Sequence, residues 1–186
     1  MSIKDALKKF EQKSQEKAAE ATHIKLWFQD PPIERLDAAL KQCVNCERLS
    51  LSTNNIERIS NLQGLDKLKI LSLARNCLKK VEGLDAVAST LEELWLSYNN
   101  IERLQPITVC PKLKVVCLGN NNITSLAEVE KLAALGELEE VVLKNNPFMD
   151  GMSEQEYRFA VIKAIPQLKK LDGRPIEPDE KEQALA

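Results

Sequence analysis

The chain has 186 residues, of which 44% are hydrophobic, enough to bury the core of one domain. Its formal net charge of −2 and pI of about 5.7 argue against nucleic acid as the main partner, because neutralising phosphates requires a clustered excess of Lys and Arg. The sequence has no apolar run of about 18 residues and no signal-peptide pattern at its start, so we expect no membrane span and no membrane partner.

The N-terminal stretch predicts an amphipathic helix over residues 3–21. Ser2 suits the N-cap position, and Ile3 and Leu7 recur at the spacing of one helical face. We expect residues 1–22 to cap the open end of the domain that follows, because stacked repeats need a polar-faced cover at each end. A helix that binds a partner is the alternative.

One pattern recurs through residues 23–148. Each regular copy has two Leu-type residues around a variable one, followed three positions later by Asn. The copies begin at Leu49-Ser-Leu51, Leu71-Ser-Leu73, Leu94-Trp-Leu96, Val116-Cys-Leu118 and Val141-Val-Leu143. Their asparagines, separated by 22, 23, 22 and 25 residues, are Asn54, Asn76, Asn99, Asn121 and Asn146. This is the template of the leucine-rich repeat, and residues 24–40 form a degenerate first copy.

The repeat has a direct structural interpretation. Residues on both sides of one strand position point the same way, so the Leu pair faces inward and the residue between faces outward. The Asn amide both donates and accepts hydrogen bonds, which suits a buried turn. We therefore predict an α/β solenoid with a parallel concave sheet, short 3₁₀ or one- to two-turn helical pieces on the convex side, and a helical last connection.

The repeat pattern ends after Pro147. Residues 149–173 predict a C-terminal repeat cap, with an amphipathic helix that starts at a Ser153–Glu156 capping box, then a last strand-like pair, Leu168 and Leu171. Residues 174–186 form an acidic tail that predicts only a short, marginal helix.

Catalytic and metal-binding patterns are few. The single histidine, His23, has no nucleophile–base spacing around it, and Cys43-Val-Asn-Cys46 lacks the second pair that a structural zinc site needs. We therefore expect no enzyme, no metal and no cofactor. The odd count of five cysteines is typical of reduced thiols in a cytosolic compartment.

The outward side of the strands is the candidate binding surface. Its apolar members are Ile70, Trp95, Val115, Cys117 and Val142, and its polar rim is Arg48, Glu93, Glu140 and Lys144. An apolar centre with a polar rim and an exposed Trp is typical of protein interfaces. The alternative is that the tail or another segment of this chain covers the patch.

Several runs outside the repeat consensus carry a resemblance to one family. They include Ile3-Lys-Asp-Ala-Leu7, Pro31-Pro-Ile-Glu34, Leu84-Asp-Ala-Val-Ala88, Thr90-Leu-Glu-Glu-Leu-Trp-Leu-Ser-Tyr-Asn99, Lys131-Leu-Ala-Ala-Leu135, Leu168-Lys-Lys-Leu-Asp-Gly173 and Asp179-Glu-Lys-Glu-Gln183. On these runs the chain resembles, nearly end to end, the leucine-rich-repeat light chains of axonemal outer-arm dynein, the light chain 1 family. Arg174 departs from the family, whose members commonly have an apolar Met there.

The resemblance implies a non-catalytic subunit of a ciliary or flagellar motor, located in the cytoplasm on the axonemal cytoskeleton. It implies binding to a dynein heavy chain near the microtubule-binding tip of its stalk, with the Trp95 surface as the heavy-chain contact, and modulation of motility. Tubulin is a further expected neighbour, and the candidates for facing the microtubule are Arg75, Lys79, Lys80, Arg103 and Arg174. The alternative is a leucine-rich-repeat regulatory subunit of a cytosolic enzyme such as a protein phosphatase, which a longer array and a more acidic concave face would favour.

Overall fold

Eight short strands form one sheet in chain order, in a computed structural model that describes residues 1–186. Strands β1 to β7 are parallel, and β8 is antiparallel to β7. The strands are β1 His23–Lys25, β2 Arg48–Ser50, β3 Ile70–Ser72, β4 Glu93–Trp95, β5 Val115–Cys117, β6 Glu140–Val142, β7 Lys170–Leu171 and β8 Arg174–Pro175. The predicted α/β solenoid with a parallel concave sheet is confirmed.

The core follows from the alternation within each strand. The paired Leu-type positions, such as Leu94 and Leu96, are fully buried, while Trp95 between them is exposed. Residues of the opposite wall, such as Ile101 and Leu104, close the interior. The result is one continuous core of 48 buried residues that runs the length of the stack, as expected when no single repeat can bury its apolar face alone.

The convex side consists of short helical pieces, as the repeat length predicts. The 3₁₀ segments are Ala38–Gln42, Asp85–Val87, Gln105–Val109, Lys131–Ala134 and Pro147–Met149. A short helix, α2 (Leu126–Glu130), lies between β5 and β6, and the last connection between parallel strands contains the full helix α3 (Glu154–Ala164). None of these helices has the length and apolar content needed to cross a bilayer.

The N-terminal helix is shorter than predicted. Helix α1 spans Ile3–Ser14, with Ser2 as its N-cap, and does not continue to residue 21. It ends because Gln15 adopts a left-handed conformation and the side chain of Glu11 accepts a hydrogen bond from the amide of Ala18, 2.8 Å away. The helix still covers the first repeat, since its buried face lies in the common core.

The five repeated asparagines form a buried ladder. Asn99 is representative: its Nδ2 donates to the carbonyl oxygens of Leu73 and Leu96 at 3.0 and 2.9 Å, and its Oδ1 accepts from the amide of Leu78 at 2.9 Å. Asn54, Asn76, Asn121 and Asn146 make the same three contacts at 2.8–3.1 Å. Each amide therefore joins its own strand to the preceding repeat.

In the C-terminal cap an acidic side chain accepts the hydrogen bonds that strand amides elsewhere give to the carbonyls of the next strand. The capping box of Ser153 and Glu156 starts α3, as predicted. Asp172 Oδ1 then accepts from the amide of Leu143 at 2.8 Å, and its Oδ2 accepts from the hydroxyl of Tyr157 at 2.6 Å. Asp172 thus completes the hydrogen bonds of the last regular repeat and ties them to α3.

The tail forms a docked helix, α4 (Pro178–Leu185). Its attachment depends on Arg158 of α3, whose side chain is only 6% exposed and donates to both carboxylate oxygens of Glu180 at 2.5 and 2.8 Å. The same guanidinium donates to the carbonyls of Leu171 and Pro175. Because Ala184 is the only buried apolar residue of α4, this ion pair is its main attachment.

Replacing Asn99 by Ala should destabilise the whole domain. The change leaves one amide and two carbonyls of the buried turn without partners, at about 1–3 kcal/mol each, so a loss of at least about 3 kcal/mol in the free energy of unfolding is expected. Urea denaturation measures it. Asn100→Ala, at an exposed neighbour, is the control, and equal stability of the two variants would contradict the ladder's role.

Acidification should release α4 before the repeats unfold. The guanidinium of Arg158 holds the pKa of Glu180 below its usual value, so the stabilisation is present above that usual value and is lost as pH falls through the lowered pKa. The NMR signals of Ala184 should then move to exposed positions. Glu180→Gln should show the released signals already at neutral pH, whereas Glu182→Gln should behave as the wild type.

Candidate partner-binding surface

The concave face is defined as the outward residues of β1 to β6 together with the next outward position after each of these strands. It contains all nine predicted contact positions. Strand register places Arg48, Ile70, Glu93, Val115 and Glu140 in one row. It places Ser50, Ser72, Trp95, Cys117 and Val142 in a second row. Lys144 lies at the end of a third row, beyond Val142 on the same face.

Trp95 projects from the centre of this face. Its side chain is 44% exposed, and its register neighbours Ser72 and Cys117 are smaller. The indole Nε1 donates to Glu93 Oε2 at 3.1 Å on the same strand, which orients the ring without burying it. The indole is therefore neither turned into the interior nor covered by the tail.

The residues around the indole contribute apolar surface. Ile70, Val115 and Val142 are half-buried on neighbouring strands. A Cβ placed on Gly119 would lie 3.1 Å from Val142 Cγ1, so a larger residue at position 119 would press on Val142. Burial raises the pKa of the Cys117 thiol to about 11, so it stays protonated near neutral pH and acts as a small apolar group, not as a nucleophile.

The charged rim is only partly neutralised within the chain. Glu140 pairs with Lys170 at 3.0 Å, and Glu93 accepts from the indole. Arg48 and Lys144 are exposed and have no ion pair. These two cations of the predicted rim thus remain available to an external partner.

The amino edge of the sheet, in contrast, neutralises its own charges. The residues just before strands β2 to β7 alternate in sign: Glu47, Lys69, Glu92, Lys114, Glu139 and Lys169. They close into three ion pairs between neighbouring repeats, with N–O distances of 3.0, 2.9 and 2.6 Å. Such exposed pairs contribute about 0–1 kcal/mol each, but they leave this edge without net charge.

The five basic residues predicted to face a microtubule do not form one group. Lys80 and Arg103 are exposed neighbours, joined by a parallel backbone bridge, and Lys79 is exposed beside them. Arg75 stacks over the ring of Tyr98, 4.1 Å from its centroid. Arg174 lies apart from these residues on β8, where it forms an ion pair with Glu154.

Three exposed aromatic residues on or beside this surface lie outside the predicted contact set. Trp27 is 51% exposed, Phe28 is 70% exposed and Tyr98 is 47% exposed. The signal for Trp27 was its spacing: it lies two positions after Lys25, so it shares the outward side of β1. Phe28 and Tyr98 lie at the turn position just before the one that the ladder asparagine occupies in the regular repeats.

The structure offers little for catalysis or metal binding. His23 lies on the surface, with its Nδ1 2.9 Å from the hydroxyl of Thr22. Burial raises the pKa of Cys43 to about 12 and that of Cys46 to about 11, so both thiols are packed inside the first repeats. No group of three or more His, Cys, Asp or Glu side chains is placed to hold a metal ion.

Comparison with known proteins gives concordant results. Two leucine-rich-repeat family models match residues 106–186 and 90–111. The relative named Dynein axonemal light chain 1 from Chlamydomonas reinhardtii is 56% identical over 98% of this chain and 94% of its own length. Its counterparts from Homo sapiens and Danio rerio are each 58% identical over 97% of this chain, covering 96% and 94% of their own lengths.

Solved structures agree on the fold. A chain of the Drosophila melanogaster SNF/U2A′ complex has a TM-score of 0.66 and is 30% identical, with 74% of this chain and 78% of that chain covered. An internalin of Listeria monocytogenes has a TM-score of 0.61 at 18% identity, with 76% and 38% covered, and supports the fold alone.

Proposed function

Since this chain belongs to the axonemal dynein light chain 1 family, we propose that it is a non-catalytic subunit that binds a dynein heavy chain near the microtubule-binding tip of its stalk. Family membership makes it a light chain of axonemal dynein, part of the cytoskeleton of a cilium or flagellum. The heavy-chain contact, the position at the stalk tip and the effect on microtubule interaction and motility belong to the proposal.

The observation that carries the proposal is the exposed indole of Trp95 at the centre of the apolar concave patch. A fixed aromatic side chain with small neighbours is typical of the residues that dominate binding energy at protein interfaces. The unpaired Arg48 and Lys144 supply polar contacts at the rim. A surface of this kind binds another polypeptide and needs no catalytic group.

A second part of the proposal concerns the microtubule. Lys79, Lys80 and Arg103 form an exposed cationic group on the turns, and none of them is ion-paired. With the heavy chain held on the concave face, these charges modulate the approach to the acidic surface of tubulin. Arg174 contributes less, because Glu154 already neutralises it.

The alternative of a regulatory subunit for a cytosolic enzyme is not favoured. A more acidic concave face was the expected sign of that function. The outward residues of the strands instead include Lys25 and Arg48 against two glutamates, of which Glu140 is paired with a lysine.

Replacing Trp95 by Ala should weaken heavy-chain binding strongly while the domain stays folded. The side chain is 44% exposed and contributes little to the core, whereas a central interface Trp contributes about 2 kcal/mol or more, or roughly 30-fold in affinity. Calorimetry with the purified heavy-chain stalk domain measures this. Val109→Ala, exposed on the convex side, is the control; unchanged affinity for the Trp95 variant would refute the proposed contact.

Reversing the turn charges should weaken microtubule binding of the light chain–stalk complex. Lys79→Glu combined with Lys80→Glu and Arg103→Glu should reduce cosedimentation by about 3- to 10-fold at low salt, and the difference should vanish at high salt because exposed charges are screened. Lys163→Glu on α3 is the control. Salt-sensitive binding that survives the triple change would exclude these residues.

A further inference from the structure

We infer that the concave face binds an amphipathic α-helix of the partner, which lies along the strands in a trough between Trp27 and Trp95 with acidic side chains against Lys25 and Arg48. The inference rests on the proposed function and deepens it, because it specifies the kind of segment that docks. It also assigns the N-terminal repeat to the binding surface, through an aromatic wall separate from the Trp95 patch.

The trough has two aromatic walls. Trp27 follows β1 and continues its pairing with β2, since the amide of Phe28 donates to the carbonyl of Ser52 at 3.0 Å. Trp95 lies on β4, three strands away. At the usual spacing of neighbouring strands, the strands that carry the two rings are about 14 Å apart. A helix with its side chains is about 10–12 Å wide, so it fits between them.

The floor of the trough allows close approach. Between the walls, the second and third outward positions of the β2 and β3 repeats are Ser50, Ser52, Ser72 and Ala74, all small and half-buried, while Arg48 and Ile70 lie at the start of β2 and β3. The hydroxyls of Ser52 and Ser72 lie 2.6 Å apart and bond to each other, so these polar groups need no partner from outside. A curved sheet is concave about an axis parallel to its strands, and a cylinder therefore lies along them.

Backbone hydrogen bonding selects a helix over an extended segment. The interior strands already pair on both sides, so an added strand finds no free edge on the concave face. A segment pressed against apolar side chains loses water from its backbone and must satisfy its own N–H and C=O groups. A helix does this internally, whereas an extended chain does not.

The charges beside the trough indicate which side chains the bound helix should carry. Lys25 and Arg48 are exposed on the Trp27 side and have no ion pair, in contrast to the lysines of the amino edge, each of which is paired. Unpaired cations beside an apolar trough favour a partner with carboxylates next to its apolar stripe. On the Trp95 side, Glu93 disfavours further acid.

The two indole signals provide the test, because the chain contains only two tryptophans. In ¹H–¹⁵N spectra of the full chain titrated with the purified stalk domain, both indole N–H signals should shift in parallel. A shift of the Trp95 signal alone would overturn the trough while leaving the proposed function intact. No shift of either signal would overturn both.

Variants test the walls and floor separately. Trp27→Ala should weaken binding about 10- to 30-fold, as should Ser72→Leu, which fills the floor. Ser89→Leu, on the convex side, is the matched control. Hydrogen exchange of the stalk domain should show a protected helical segment with acids flanking its apolar stripe. Full affinity for Trp27→Ala, or protection of an extended segment, would contradict the inference.

Discussion

The asparagine ladder is the interaction on which the structure depends. Each repeat turns sharply after a strand of three residues, and the turn buries one amide and two carbonyls that water cannot reach. A side-chain amide satisfies all three, and because two of its contacts cross to the preceding repeat, it also sets the stacking register. Leu, of similar size, would fill the space but leave these groups unpaired, at a cost that apolar burial does not recover.

Because the ladder and the inward pairs hold the fold, the outward residues are free to serve binding. The surface is accordingly uneven. The amino edge neutralises itself through alternating Glu and Lys, while the concave face retains unpaired cations and exposed aromatic rings. This contrast separates the part of the surface that neutralises its own charges from the part with the features of a binding surface.

The two open ends of the stack are covered by different kinds of contact. At the N-terminus, α1 covers the first repeat with a short apolar face and ends at Gln15. At the C-terminus, Asp172 accepts the hydrogen bonds of strand amides that elsewhere go to the next strand, and Tyr157 and Arg158 of α3 connect it and the tail to the core. Helix α3 buries Tyr157, Val161 and Ile165 in the common core, whereas α4 depends mainly on the ion pair of Arg158 with Glu180, so α4 is the part expected to respond to pH.

The sequence by itself determined the repeat architecture, the inward and outward sides of each regular strand and the outward position of Trp95, because these follow from local spacing: alternation along a strand and an Asn every 22 to 25 residues. It did not determine where α1 ends, since a side-chain contact from Glu11 to Ala18 stops that helix against its own propensity. Nor did it show that Arg158 is buried or that Trp27 is exposed. These depend on which distant segments become neighbours once the strands stack, and only the tertiary structure decides that, because burial and ion pairing are properties of neighbours in space and not of position along the chain.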